Sequence, residues 1–163
     1  MGGIGSGRWP EKARDNLIED GLRLSVRDLH QAGLLPPRPG AGATIRWSAK
    51  GEAAIGQGAS VAVTVEAADE NQLQVWLKYV VMIDRTSYRI AEPVRLTSTR
   101  LHSGGNRWWF CCPATQGDVS CGRLVGTLCL PSRARFFGCR RCHGLEYRCR
   151  REHKPQRIEN AVL

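Results

Sequence analysis

Long apolar runs are missing from this 163-residue sequence; the longest are five residues, Tyr79–Ile83 and Trp108–Cys112. A membrane span needs about 18 or more, so no transmembrane helix and no membrane partner are expected. Met1 to Arg8 contains no apolar stretch of the kind a secretory signal carries, and a cytoplasmic location is expected. No Gly-Lys-Ser/Thr follows the four glycines among residues 2–7, which excludes a P-loop. Ser-His-Asp, Gly-x-Ser-x-Gly and His-Glu-x-x-His sets are absent as well, so no catalytic residue and no small-molecule substrate are expected. Acidic residues are scarce in one region only. Residues 101–163 hold 11 basic and 4 acidic side chains, whereas residues 1–100 hold 13 and 11. The formal net charge of +9 therefore resides mainly in the last third. A basic surface of this kind favours polyanions, chiefly nucleic acid.

Cysteine is the residue that is plentiful. All seven lie between Cys111 and Cys149, and four stand out by their neighbours: Cys112-Pro113, Cys121-Gly122 and Cys139-Arg-Arg-Cys142. Two intervening residues let a pair of thiolates converge on one ion while backbone N–H groups of the turn bond to sulfur. Seventeen residues separate Cys121 from Cys139, within the range for a four-cysteine zinc site. Cys112, Cys121, Cys139 and Cys142 are thus the expected ligands of one structural Zn²⁺. The eight residues between Cys112 and Cys121 exceed the usual two to four, and residues 114–120 are expected to extrude as a loop. Cys111 competes with Cys112, since neighbours on a strand face opposite sides, and Pro113 favours Cys112. Cys129 reads as a small buried hydrophobe, Cys149 as a free thiol. A disulfide framework would need a secreted chain, and a redox Cys-x-x-Cys a βαβ setting.

Along the chain, residues 1–9 form a glycine-rich arm carrying Arg8. Residues 10–42 read as two short helices, Pro10 to about Asp20 and about Val26 to Ala32, followed by a Pro/Gly linker. Ser25-x-x-Asp28 predicts a capping box and Gly33 a stop. Residues 43–100 alternate with period two (Val61, Val63, Val65; Leu73, Val75, Leu77, Tyr79; Tyr88, Ile90, Val94, Leu96), which predicts an antiparallel meander. Residues 101–150 hold the zinc ribbon, with strands expected over Arg123–Leu130 and Arg135–Phe137, and residues 151–163 a basic tail. The expected fold class is α+β: short N-terminal helices, an antiparallel β-sheet and a C-terminal four-cysteine zinc ribbon.

Several segments carry a family likeness: Gly2-Gly-Ile-Gly-Ser-Gly-Arg-Trp9, Leu24-Ser-Val-Arg-Asp-Leu29 with Ala32-Gly-Leu-Leu35, Trp109-Phe-x-Cys-Pro113, Cys121-Gly122 and Cys139-Arg-x-Cys142-x-Gly-Leu-x-Tyr147. Together they resemble a group of small, uncharacterised bacterial zinc-ribbon proteins. The resemblance spans most of the chain and implies a bacterial protein with a four-cysteine ribbon. The long first knuckle and Cys149, where such proteins more often show serine, depart from it. Leu24–Leu29 with Gly33–Pro37 also resembles, locally, the recognition-helix segment of MerR-type regulators, about one turn too short.

A closed four-cysteine site offers no open position for chemistry. The expected function is non-catalytic binding of DNA or RNA, in regulation or on a mobile element, with a protein-interaction adaptor as the alternative and an enzyme with an unrecognised site as the third reading. The expected contacts are Arg133, Arg135, Arg140, Arg141, Arg148, Arg150, Arg151 and Lys154, with Arg8 on the arm, because arginine makes bidentate phosphate contacts. Trp108, Trp109, Phe136 and Phe137 are read chiefly as the ribbon's small core, and secondarily as stacking groups.

Overall fold

A computed structural model describes residues 17–47 and 59–147. The chain opens with a 3-10 turn, Ile18–Asp20, then strand β1 (Leu22–Ser25) and helix α1 (Val26–Gln31). Nine further strands follow: β2 (Gly42–Arg46), β3 (Ser60–Asp69), β4 (Gln72–Ile83), β5 (Thr86–Arg100), β6 (Asn106–Cys111), β7 (Thr115–Gln116), β8 (Val119–Ser120), β9 (Leu124–Val125) and β10 (Thr127–Leu130). A six-stranded antiparallel sheet, ordered β2-β3-β4-β5-β6-β9, dominates. β1 pairs with β10, and β7 with β8.

The fold is therefore β-rich, and the expected α+β class with several helices is corrected. Among the described residues there is one α-helix, of six residues. The expected first helix falls mostly on residues outside those described, and its end is the 3-10 turn. Leu22–Ser25 is a strand because β10 supplies its partners, Leu22 facing Leu130 and Leu24 facing Leu128. Four residues are too few for periodicity to register, and tertiary pairing decides them. Arg135–Phe137 forms no strand; Gly138 alone bridges Cys129.

Local chemistry explains α1. Ser25 Oγ accepts from the Asp28 N–H at 3.2 Å, and Asp28 Oδ2 accepts from the Ser25 N–H at 2.7 Å, so both halves of the capping box are made. At the other end Leu34 N–H donates to Leu29 O and Gly33 N–H to His30 O, the Schellman pairing. Gly33 takes φ +74° to allow it. The α1 side chain Leu29 is buried in the main core, which packs this helix against the sheet.

The sheet's inner face follows the alternation. Val61, Val63 and Val65 of β3, Val75, Leu77, Tyr79 and Val81 of β4, and Val94 and Leu96 of β5 are buried. Phe110, Leu24, Leu29, Leu128, Leu130 and Phe137 join the same cluster, so the core runs unbroken from α1 to the second cysteine knuckle. One polar side chain, Glu92, is buried on this face opposite Leu77.

Candidate metal centre

Strand β6 ends where Cys112 begins the first knuckle. The Cys112 N–H donates to Arg123 O at 2.9 Å, Gly122 N–H returns to Cys112 O at 3.2 Å, and Cys121 N–H donates to Ala114 O at 2.8 Å. These bonds pinch the base of the 114–120 excursion, and β7 and β8 zip it into a two-stranded hairpin. The extra residues leave and re-enter at the knuckle, so Cys121 stands where a short knuckle would place it.

The second knuckle is a tight turn. His143 N–H donates to Cys139 O, Gly144 N–H to Arg141 O and Leu145 N–H to Arg140 O. Reciprocal bonds between Cys129 and Gly138, at 2.7 and 3.0 Å, hang it on β10. Ile18 N–H donates to Glu146 O behind it. Two knuckles from separate parts of the chain are thereby brought face to face.

The sulfurs of Cys112, Cys121, Cys139 and Cys142 lie within 4.8 Å of one another and can hold a metal ion. Cys112 Sγ is 4.0 Å from Cys142 Sγ, and Cys121 Sγ is 4.0 Å from Cys139 Sγ. Cys139 N–H donates to Cys112 Sγ at 3.1 Å, and Arg123 Nη1 donates to Cys139 Sγ at 3.6 Å. Burial opposes ionisation of Cys139, but the N–H groups of Cys142 and Arg141 and the neighbouring thiols outweigh it and bring its thiol down to about 6. Burial, with the crowding of the other sulfurs, pushes Cys142 and Cys112 up. Four thiols this close do not all ionise without a cation among them.

The other cysteines separate cleanly. Cys111 lies on the sheet's opposite face near Arg95; burial raises its thiol and Arg95 opposes the rise. Cys129 is buried with Ile18 and Leu145, and burial pushes it up to about 11. Cys149 lies outside the described residues. His143 follows a cluster cysteine but is not in the cluster, and burial depresses its imidazole.

The arginines expected to contact nucleic acid do not act alike. Arg133, Arg135 and Arg141 are exposed and Arg140 is half-buried. The Arg135 guanidinium lies 3.9 Å from the Tyr88 ring centroid, a cation–π contact on the sheet. Arg140 Nη1 donates to Leu145 O at 3.4 Å across its own knuckle and leans on Tyr147. Arg8, Arg148, Arg150, Arg151 and Lys154 lie outside the described residues. Phe137 is buried edge-on against Tyr79, with ring centroids 5.2 Å apart, whereas Phe136 is 54% exposed.

Two features escaped the sequence reading. Arg123, next to Cys121-Gly122, supplies the charge beside the sulfurs. The second is a buried link between sheet and knuckle. Glu92 Oε1 accepts the Phe137 N–H at 2.9 Å, and Tyr79 Oη lies 2.6 Å from Glu92 Oε1 and 2.7 Å from Arg135 O. A phenol has one proton to donate. A proton on Glu92 completes both contacts, with carboxyl donating to Oη and Oη to the carbonyl. Burial raises the Glu92 carboxyl, and the bonds from Tyr79 and Phe137 only partly offset that. The one signal in sequence was an acid at an inward position between Ile90 and Val94.

Comparison with family models, characterised proteins and solved structures gave no match to this chain.

Proposed function

We propose that the protein is a non-catalytic nucleic-acid-binding protein whose C-terminal part is a ribbon organised by one structural zinc ion. The observation that carries this reading is the closed sulfur cluster. A Zn–S bond of about 2.3 Å in tetrahedral geometry sets sulfur–sulfur edges of about 3.8 Å, and the cluster holds two at 4.0 Å. Four thiolates satisfy the ion's whole coordination, which leaves no vertex for water or substrate and argues for a structural role. The backbone bond to Cys112 Sγ and the Arg123 contact to Cys139 Sγ are the outer interactions that steady such a site.

The nucleic-acid part rests on charge. The chain carries a formal +9; four thiolates with Zn²⁺ together contribute −2, so the working charge is about +7. Exposed Arg123 and Arg141 line one concavity with Cys121 and Cys142. The motifs that resemble bacterial zinc-ribbon proteins favour a bacterial protein. Among the described residues, no helix is long and apolar enough to cross a membrane.

Elemental analysis should return about one zinc per chain, and Cys139→Ser should lose it. Fluorescence anisotropy with oligonucleotides should show affinity falling linearly with the logarithm of salt, with a slope of about −0.7 to −0.9 per neutralised phosphate. A zinc-loaded chain that binds no oligonucleotide at low salt, and co-purifies with a protein instead, would replace this reading with the adaptor.

A further inference from the structure

The six-stranded sheet has a covered face and a bare one. Trp76, Val80 and Met82 of β4 and Trp109 of β6 point away from the core, on the face opposite Val75, Leu77, Tyr79 and Phe110. Val80 and Met82 are 55% and 67% exposed. Five basic side chains share this face: Arg46 on β2, Lys78 on β4, Arg89 and Arg95 on β5, and Arg107 on β6, all exposed. The acids among them are Glu66 and, beside the β3–β4 turn, Asp69. An apolar surface that sought another protein surface or a second copy would not carry charge of one sign in this excess.

The register sets the spacing. Trp76 stands beside Pro93, Trp109 beside Thr97, and Arg95 occupies the outward position between Pro93 and Thr97. With strands about 4.8 Å apart and about 3.3 Å per residue, the two tryptophans are about 16 Å apart with a guanidinium between them. Trp109 is held in place: its indole N–H donates to Thr99 Oγ1 at 3.0 Å, and the Arg107 guanidinium lies 4.2 Å from its ring centroid. At the sheet edge Cys111 pairs with Leu124, one residue from Arg123 at the metal cluster, so the basic surface continues from the sheet to the knuckles.

Resting on the nucleic-acid reading above, we infer that this outer sheet face is the binding track, and that it takes single-stranded nucleic acid. Aromatic rings spaced along a basic sheet stack on unpaired bases whatever their identity. Paired bases present no free face to them, and the face offers no protruding helix for a groove. Trp76 and the Arg107–Trp109 pair are the stacking platforms, and Arg95, Arg89 and Lys78 hold phosphates between them.

The test uses the zinc-loaded full chain with labelled oligo(dT), oligo(U) and a duplex, each about 15 nucleotides long. Both single strands should bind more tightly than the duplex, and the tighter of the two identifies DNA or RNA. Trp76→Ala should weaken single-strand binding about 5- to 100-fold. The double variant Arg89→Ala/Arg95→Ala should flatten the salt slope by about 1.4. Arg133→Ala/Arg141→Ala should weaken single-strand binding less than the sheet pair does. If Trp76→Ala does not fold by circular dichroism, the exposed arginine pair decides. Sheet variants that bind as wild type while the knuckle pair loses binding would overturn the track and leave the nucleic-acid reading standing. Preference for duplex would overturn the single-strand assignment, and wild type that binds no oligonucleotide would sink both. A wild-type chain that instead dimerises, with Met82→Lys restoring the monomer, would give the face to a second copy.

Discussion

Glu92 is the carboxyl whose protonation the fold shifts. Its carboxyl sits above the ordinary 4.5 because burial disfavours the charge. The folded chain therefore holds this proton more tightly than the unfolded chain. The stabilisation is fully present below pH 4.5 and is lost as pH rises through the folded value. Each unit of elevation corresponds to about 1.4 kcal/mol. Glu92→Gln keeps a carbonyl for the Phe137 N–H but cannot titrate. The stability of wild type minus that of the variant should accordingly decline with rising pH above 4.5. Urea midpoints of the zinc-loaded proteins measure it, and the metal's own pH dependence cancels in the difference. A flat difference would mean that Glu92 is ionised and that Tyr79 gives it its single proton.

Gly21 is a residue-scale constraint of another kind. A Cβ there would stand 2.7 Å from Leu130 O and 3.1 Å from Pro131 Cα, both backbone atoms. β1 begins one residue later and is paired with β10, so neither backbone gives way without loosening that ribbon. Gly21→Ala should cost about 1–3 kcal/mol, read as a lower thermal midpoint. An unchanged midpoint would show that β1 and β10 adjust freely.

Among the elements, the β7–β8 hairpin is the informative one. It is closed at its base by Cys121 N–H to Ala114 O, its strands are two residues each, and Val119 is 72% exposed. It contributes no side chain to the buried core. Removing residues 115–120 leaves Cys112-Pro-Ala-Cys, an ordinary two-residue spacing. That variant should keep about one zinc per chain and lose little stability. Loss of the metal would show that the hairpin holds the first knuckle closed.

The same scale shows what was legible in the sequence. The meander could be read because β3, β4 and β5 are long enough, at 10, 12 and 15 residues, for period two to repeat. The capping box and Gly33 were legible because cap chemistry is local. The four cluster cysteines were legible because each carries its own spacing or neighbour. β1 was hidden by its length, since four residues become a strand only through a distant partner, whereas the strand expected over Arg123–Leu130 is present but divided into β9 and β10. Arg135 and Arg140 were expected at phosphates; Arg135 is exposed and also lies over the Tyr88 ring, and Arg140 donates to the Leu145 carbonyl. Sequence gives an arginine's charge, not what lies within reach of it.

At the scale of the whole molecule, the question is whether the metal serves the ribbon or the entire chain. β10, which carries the second knuckle through the Cys129–Gly138 bonds, pairs with β1 rather than with the six-stranded sheet. β6 is a member of that sheet and runs directly into Cys112. Phe137, two residues before Cys139, packs in the same cluster as Leu29 of α1 and Val63 of β3. A metal held by the four cysteines would thus tie the end of the large sheet to the β1–β10 ribbon, and the core between them has no internal boundary. Removing it leaves four thiols that cannot ionise together, and loosens both attachments at once. Chelation should therefore lower the urea midpoint of the whole chain in one cooperative step. Tryptophan fluorescence, which includes Trp108 and Trp109 on β6, and far-ultraviolet circular dichroism should give coincident transitions with and without metal. Two separated transitions, with chelation moving only one, would instead make the ribbon a unit that folds apart from the sheet.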